Sequence, residues 1–336
     1  MNILVTGAAG YIGSTFSFEA VKRGHTIFGI DNFSNSTDLF VKKLKEEKPD
    51  DFFFQSCDLR NHDDLHQCFG SIVKEIDISM IIHFAGLKSV PESEEKGEEY
   101  WDNNVNGTKN LLDVMSIYNI KNIIFSSSAS VYGKQELQPI SEDAALNPAS
   151  MYAKTKKAAE ELIQHEVLNN GISGISLRYF NPIGSHKDYI VFEDFDKTYP
   201  NLMSSIINVA KGTKEKVLIY GEDYITSDGT GERDYIHIFD LINGHFAALK
   251  YLNHVKGYDV FNLGTGKCVS VKELINNFEK VNKVKIPYQK TNRRPGDIAT
   301  CYADPSKAKK DLKWETKYNL NDMCRDSWEP VKNIWT

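Results

Sequence analysis

A short apolar run, Asn2-Ile-Leu-Val-Thr6, leads directly into three glycines at three-residue spacing, Gly7, Gly10 and Gly13, and then into a helical pattern that continues to about Arg23. A chain that leaves a buried strand, turns on glycine and enters a helix sets that helix close against the strand. Glycine permits the approach because it has no Cβ. The same turn directs unpaired N–H groups and the positive end of the helix dipole at one point, where a pyrophosphate can sit. A second strand, Thr26-Ile-Phe-Gly-Ile30, ends in Asp31, roughly 20 residues beyond the turn, where a ribose-binding acid belongs. A carboxylate there accepts from ribose hydroxyls and repels a 2′-phosphate. No arginine immediately follows Asp31, so the expected dinucleotide is NAD rather than NADP.

Strand-like and helix-like runs then alternate. Phe52-Phe-Phe-Gln, Met80-Ile-Ile-His-Phe-Ala, Asn122-Ile-Ile-Phe-Ser and Ser173-Gly-Ile-Ser-Leu-Arg read as strands, with helical patterns near residues 63–75, 98–118 and 152–168 between them. Short apolar strands separated by helices predict an α/β fold of the Rossmann type, a doubly wound parallel sheet covered on both faces. After Asn181 the rhythm breaks into a Gly-, Asp-, Tyr- and Pro-rich stretch with one helix near 202–211. A helix over 238–252 and a strand over 260–264 return to the sheet. The expected division is a nucleotide-binding domain over 1–181, with 235–264 returning to it, and a smaller mixed α/β C-terminal substrate domain from 182–234 and 265–336.

At 336 residues the chain has room for one large α/β domain and a smaller partner. Its charges are mixed, with a net of −6 and no basic block, so nucleic acid is not an expected partner. Cys57, Cys68, Cys268, Cys301 and Cys324 form no C-x-x-C pair and no metal spacing, which predicts reduced thiols and no metal. His83, between Ile82 and Phe84, reads as a strand residue rather than a ligand. No apolar run approaches the ~18 residues of a membrane span. The first strand starts at Asn2, so no signal peptide is expected. The expectation is a soluble cytoplasmic protein.

In open α/β sheets the ligand lies beyond the carboxyl ends of the strands. Those ends carry Asp31-Asn32, Cys57-Asp58-Leu59, Phe84-Ala-Gly-Leu-Lys88, Ser126-Ser-Ser128 and Tyr179-Phe-Asn181. Asp58 is placed to meet the adenine amino group, and Ala85-Gly86 lets backbone approach the middle of the dinucleotide. Ser126 to Ser128 are either polar strand-end caps or the source of one catalytic hydroxyl, with Ser128 the candidate. Tyr152 and Lys156 stand one helical turn apart and share a face. A free tyrosine titrates near pH ~10, and a neighbouring cation favours its phenolate. Such a pair can take a proton from an alcohol during hydride transfer.

Together these segments resemble the extended short-chain dehydrogenase/reductases, and within them the UDP-glucose (UDP-galactose) 4-epimerase family. The resemblance is carried by Gly7–Ser14, Asp31–Ser36, Phe84–Lys88, Asp102-Asn-Asn-Val-Asn-Gly107, Ser126–Gly133, Tyr152–Lys156 and Leu177–Pro182. Asp228-Gly-Thr-Gly-Glu-Arg-Asp-Tyr-Ile-His237 and Arg293-Arg-Pro-Gly-Asp297 extend it over nearly the whole chain. It implies NAD bound by Gly7, Gly10, Tyr11, Ile12 and Gly13 at the turn, and by Asp31, Asn32, Phe33, Ser34, Asn35 and Ser36 after the second strand. It adds Asp58 and Leu59, Phe84, Ala85, Gly86, Leu87 and Lys88, then Asn103, Ser126, Tyr152, Lys156, Tyr179 and Phe180.

The resemblance also implies the reaction. Tyr152, helped by Ser128, would remove the proton of a sugar 4-hydroxyl as the C4 hydride passes to NAD⁺, and Lys156 would anchor the nicotinamide ribose. The 4-keto sugar would turn about its link to UDP and be reduced on its other face. Asn181, Asn201, Leu202, Leu218, Tyr220, Arg233, Arg294 and Asp297 would hold the UDP-sugar, with Lys88, Ser128 and Tyr152 beside the sugar. Cys301 falls at the position bordering the sugar 2-carbon, where a small residue implies that UDP-GlcNAc and UDP-GalNAc are accepted as well as UDP-Glc and UDP-Gal. The stretch from Ser185 to Pro200 departs from the family's Gly-Glu-Asp-Pro-type loop and keeps only Asn201 of a paired Asn-Asn. A homodimer through the helices near 98–118 and 152–168 is the family's usual assembly. Sugar-nucleotide 4,6-dehydratases and decarboxylases need acids that Ala129 and Ser130 do not supply, and a non-catalytic NAD sensor has no use for Tyr152, Lys156 and Ser128 together.

Overall fold

The computed structural model describes residues 1–74, 76–185, 200–294 and 296–335. The chain forms two compact units. The first comprises residues 1–133, 146–178 and 245–261; the second comprises 134–145, 179–244 and 262–336.

In the first unit the apolar runs become strands β1 (Asn2–Thr6), β2 (Thr26–Asp31), β3 (Phe52–Ser56), β4 (Met80–His83), β5 (Asn122–Ser128) and β6 (Ser173–Tyr179). They belong to a seven-stranded sheet in which Tyr258–Leu263 lies beside β6, followed by β5, β4, β1, β2 and β3. The pairs of β1 with β2 and β4, of β2 with β3 and of β4 with β5 are parallel. The chain builds outward from β1 through β2 to β3, then crosses back to start β4 on the other side of β1. That reversal between β1 and β4 is the switch point of a doubly wound sheet, where the connections diverge and leave a crevice for a ligand. Ile3, Leu4, Val5, Ile81, Ile82, Ile123 and Ile124 are fully buried, because helices cover both faces of these strands.

The glycine turn opens on this switch point. Gly7 has φ +68, and a Cβ on it would lie 2.7 Å from the Ala85 nitrogen. A Cβ on Gly13 would lie 2.1 Å from the Gly7 carbonyl oxygen. Only glycine lets β1, the helix Tyr11–Lys22 and the chain after β4 converge so closely.

The expected helix over 98–118 is interrupted. Gly97–Trp101 and Gly107–Ile117 are α-helical, and Asp102–Asn106 forms a π-helical turn between them. Such a turn inserts an extra residue and re-aims the side chains beside it. The helix Met151–Asn170 covers β5, starting at Ser150 and stopping where Gly171 adopts the left-handed conformation.

The second unit has its own apolar core. Helices Leu202–Ala210, Val271–Asn282 and Leu320–Trp335 bury Ile206, Ile207, Leu274, Ile275, Phe278 and Met323 against the short strands. Asn181–Ile183 runs parallel to Tyr235–His237, and Val217–Tyr220 runs parallel to Tyr288–Thr291. Glu232–Arg233 lies between Val269–Ser270 and Thr300–Cys301. Residues 134–145, 179–181 and 235–244, expected in the first domain, group with this unit. The reason is pairing: Ile140 N donates to Tyr302 O at 2.9 Å, Asn262 Nδ2 donates to Ile140 O at 2.8 Å, and Tyr235–His237 pairs with Asn181–Ile183. Asp234 is fully buried and accepts from Thr265 N and Oγ1, Gly266 N and Ala303 N at 2.6–3.1 Å. Among the described residues no helix is long and apolar enough to cross a membrane, and no cluster of side chains could hold a metal ion.

Gly10 has φ −74, and a Cβ on it would meet the Gly7 oxygen at an ordinary 3.4 Å. Gly10→Ala should therefore fold normally, whereas Gly13→Ala should lose about 1–3 kcal/mol or more from forced overpacking. Urea denaturation of the two variants distinguishes them; equal stability would show that the turn does not need its third glycine.

Candidate active site

The helix Met151–Asn170 is held at its first turn by acceptors from outside its own ladder. Met151 N donates to Glu94 Oε1 at 2.7 Å, Tyr152 N to Ser93 Oγ at 3.0 Å and Ala153 N to Ser150 Oγ at 3.1 Å. The first N–H groups of a helix have no intrahelical partners. Satisfying three of them from fixed side chains sets the direction of the helix, and with it the face carrying Tyr152 and Lys156.

Lys156 is 5% exposed. Its ammonium donates to the Ser126 carbonyl at 2.8 Å, lies 4.8 Å from the Phe125 ring centroid and 6.0 Å from that of Tyr152. Burial brings its pKa down to about 8, and the charge of Glu160 opposes that fall. Ser128, at the end of β5, accepts from Ser130 N at 3.2 Å and Ser130 Oγ at 3.0 Å. Its hydroxyl also hydrogen-bonds Tyr152.

The tyrosine corrects an expectation. The spacing to Lys156 predicts a lowered pKa, but burial raises it, and the Ser128 hydrogen bond opposes the rise only in part. The ammonium donates to the Ser126 carbonyl and lies 6.0 Å from the Tyr152 ring centroid, and desolvation of the phenol is the larger effect.

The segment after β4 reaches the same place. A Cβ on Gly86 would come within 3.3 Å of Lys156 Nζ and of Asn104 Oδ1. Asn104, 4% exposed in the π-helical turn, accepts from Leu87 N at 2.8 Å. Its amide donates to Leu87 O and Thr155 Oγ1, each at 3.0 Å. One side chain thus ties the Phe84–Lys88 segment to the helix Met151–Asn170. Asn103, the residue expected here, is half-buried and donates to Asn104 Oδ1 at 2.9 Å. Helical spacing carries the missed signal, since Asn104 shares a buried face with Thr108 and Leu111. His83 is a buried strand residue bonded to Thr6 Oγ1 at 2.7 Å and Thr108 Oγ1 at 2.9 Å.

At the glycine turn, Gly10 gives the helix Tyr11–Lys22 no side-chain cap and its first turn has no acid. The chain itself therefore does not neutralise the dipole there. Tyr11 and Ile12 stand half-exposed at its first two positions. Asp31 Oδ2 accepts from Ala9 N at 3.0 Å, and Oδ1 from Phe33 N at 2.8 Å and Ser36 Oγ at 3.0 Å. The acid thereby joins the glycine turn to the loop after β2, in which Ser34 N donates to Asn32 Oδ1 and Asn35 is exposed. Asp58 takes a hydrogen bond from Asn32 Nδ2 at 3.1 Å and a fork from Arg60, which brings its pKa down to about 2. Leu59 is buried against the helix from Gly107, and Lys88 is exposed.

Two groups of the expected UDP-sugar residues assemble within the second unit. Arg294 lies 4.1 Å over the Tyr220 ring and donates to Asp297 at 3.3 Å, with Leu218 exposed two residues before Tyr220. Arg233 Nη1 donates to Ile298 O at 2.9 Å, and Arg233 is the register partner of Cys301. Asn181 Nδ2 donates to Asp234 O at 2.9 Å. Asn201 caps the helix Leu202–Ala210, accepting from Ser204 N at 2.8 Å, and Leu202 packs on the core. Tyr179 and Phe180 are buried at the end of β6, with Phe180 N donating to Leu263 O at 3.2 Å. The atypical stretch between Ser185 and Pro200 lies outside the described residues.

Comparisons with known proteins identify the family. A family model described as GDP-mannose 4,6 dehydratase matches residues 4–327. A UDP-glucose 4-epimerase from Bacillus subtilis (strain 168) is 44% identical over 329 residues, 98% of this chain and 96% of that protein. The chain belongs to the UDP-glucose 4-epimerase family. Two crystal structures of UDP-glucose 4-epimerases superpose on it. That from Stenotrophomonas maltophila, with bound NAD and formylated UDP-arabinopyranose, has TM-score 0.94 at 38% identity, covering 99% of this chain and 98% of its own. That from Bifidobacterium longum, with NAD+ and UDP, has TM-score 0.92 at 39% identity, again covering 99% and 98%.

Within this epimerase framework Asn104 is the polar side chain on which the Phe84–Lys88 segment depends. Asn104→Ala removes four hydrogen bonds and strands both Leu87 groups, an expected loss of about 2–4 kcal/mol. Asn103→Ala should cost under about 1 kcal/mol. Thermal unfolding of both variants decides between them, and equal losses would remove Asn104 from this role.

Proposed function

We propose that the protein interconverts UDP-hexoses at C4, using tightly held NAD and a transient 4-keto sugar. The observation that carries this is the convergence of Tyr152, Ser128 and Lys156 at the end of β5, next to the Gly86 backbone and one strand from the glycine turn. The residues fit the cofactor. The uncapped helix start at Gly10 and the close approach of Gly7 and Gly13 suit a pyrophosphate, and Asp31 suits an adenosine ribose with free hydroxyls. Bound NAD supplies reversible hydride acceptance at the sugar C4. Tyr152 takes and returns the proton on O4, with Ser128 holding the same oxygen. Lys156 binds the nicotinamide ribose, and its ammonium together with the cationic nicotinamide supplies the positive field that offsets the burial of the phenol. No carboxylate follows Ser128, where Ala129 and Ser130 stand, so elimination chemistry has no acid.

In this reading the first unit holds NAD and the second holds UDP, through Asn181, Asn201, Leu202, Leu218, Tyr220, Arg233, Arg294 and Asp297. Planar guanidinium groups at Arg233 and Arg294 suit a diphosphate. Cys301 borders the sugar 2-position. Its thiol is half-buried, and burial pushes its pKa up to about 11 against the pull of Arg233. It is therefore a small neutral wall residue that leaves space for an N-acetyl group. A homodimer is proposed through the helical faces that expose Trp101 at 43%, Ile117 at 56% and Leu168 at 76%. The five free cysteines suit a cytoplasmic setting.

Purified protein should convert UDP-Glc to UDP-Gal without added cofactor, and extraction should release NAD(H). Recovery of mainly NADP(H) would show that Asp31 does not read the ribose. Tyr152→Phe should keep the fold and the bound nucleotide while turnover falls by roughly 10²–10⁴; near wild-type turnover would overturn the mechanism. Wild type should also interconvert UDP-GlcNAc and UDP-GalNAc. Cys301→Tyr should abolish that reaction and spare the plain sugars, since overpacking by a phenol costs about 1–3 kcal/mol or more. A Cys301→Tyr variant that still turns over the N-acetylated pair would remove Cys301 as the gate.

A further inference from the structure

Beside the end of β5, Glu160 and Arg178 form an ion pair whose side chains are each 5% exposed. Arg178 Nε donates to Glu160 Oε1 at 3.0 Å and Nη2 to Oε2 at 2.7 Å, while Nη1 donates to the Tyr132 hydroxyl at 3.0 Å. Ser127 Oγ also donates to Glu160 Oε1. Burying two charges costs free energy that their attraction offsets only in part, and a neutral pair of similar volume often serves stability as well. Stability alone therefore does not account for a carboxylate here.

Its position does. Tyr152, Lys156 and Glu160 follow one another at single-turn spacing along the helix Met151–Asn170. Ser127, which Glu160 holds, stands between Ser126, whose carbonyl receives the Lys156 ammonium, and Ser128, whose hydroxyl meets Tyr152. We infer that Glu160 is a positioning residue of the reaction proposed above: fixed by Arg178 and Ser127, its carboxylate places a negative charge one turn beyond Lys156 and anchors the strand end that receives both catalytic side chains.

Among the described residues, the surroundings of Lys156 offer no second source of that charge. Tyr152, on the same helix, is neutral near pH 7, because burial raises its pKa. His83, on β4, is neutral too, held down to about 3 by burial and then by Lys156 itself. From β5 come the Phe125 ring and the Ser126 carbonyl, and from the segment after β4 and the π-helical turn come Gly86 and the Asn104 amide. Arg178, on β6, directs its charge into Glu160. Burial takes Lys156 down to about 8, and Glu160 acts against it. Removing the carboxylate therefore lowers the lysine further, so that it is lost as an ammonium within the neutral range.

The test is lysine-selective ¹³C NMR of the holoprotein and of the NAD-free protein, with Lys156→Met identifying the Lys156 Cε resonance. The wild-type midpoint should lie near 8, and Glu160→Gln should lower it by about one unit. Glu160→Gln/Arg178→Met, which leaves no buried charge unpaired, should fold and fall between the two. The alkaline limb of epimerisation should move with the resonance while KM stays unchanged. Because the NMR midpoint needs no turnover, an inactive wild type whose Lys156 still responds to Glu160 would sink the epimerase reading and leave standing only the coupling of Glu160 to Lys156. A midpoint unmoved in both variants, even with stability lost, would reduce Glu160 to a structural residue. A double variant that fails to fold would do the same.

Discussion

A lysine ammonium carried out of water loses hydration worth far more than one hydrogen bond returns. Lys156 is in that position, and much of the first unit is arranged around it. Its helix is held at three N-terminal N–H groups, so the four-carbon stem starts from a fixed point. One carbonyl, that of Ser126, takes the charge, and an aromatic face lies beneath it. The remaining cost is left in place as a depressed pKa. For a structural lysine that would be waste. For a group proposed to hold a ribose and favour a phenolate it is useful, since a poorly solvated cation acts strongly on what is placed next to it.

The same logic runs through the sheet. Reversal of the strand order between β1 and β4 opens a crevice, but a crevice lined by ordinary side chains would be too shallow for a dinucleotide. Glycine at 7, 13 and 86 removes Cβ atoms at the three points where backbone, helix and ammonium come nearest. Asp31 then joins the turn to the following loop through both carboxylate oxygens. Topology supplies the place, and missing atoms supply the depth.

How far this was legible in the sequence depended on whether a feature is local. β1, β2, β4, β5 and β6 are mostly buried runs, and a parallel sheet covered on both faces makes such runs continuous, so composition exposed them; β3, at the sheet edge, buries only Phe52 and showed through its three phenylalanines. The glycine turn and the Tyr152–Lys156 spacing are local for the same reason. The helix Val271–Asn282 announces itself through Ser270 and Glu273, the serine accepting from the Glu273 nitrogen at 3.0 Å, a signal the alternation of strands overshadowed. The two-residue strands at 232–233, 269–270 and 300–301 have no periodicity to read, because partners far along the chain hold them. The sign of the Tyr152 shift was hidden as well. Spacing places a cation nearby, but only the fold says how much water has been removed and at which oxygen the cation aims.

The second unit solves the opposite problem. Its chain is irregular, yet it must hold several charged side chains steady. It does so by committing carboxylates to backbone N–H groups and hydroxyls. Asp234 closes four N–H and O–H groups from two distant segments, and Asp228 takes Thr230 N at 2.9 Å and Thr230 Oγ1 at 2.6 Å and also binds Ser270. Both acids bracket Arg233, whose own strand runs between Val269–Ser270 and Thr300–Cys301. Since Cys301 is the register partner of Arg233, the residue proposed to face the sugar 2-position is fixed relative to a residue proposed to hold the diphosphate. A change of side-chain volume at 301 can then be felt at the sugar, because the strand carrying it is pinned and cannot drift to absorb the difference.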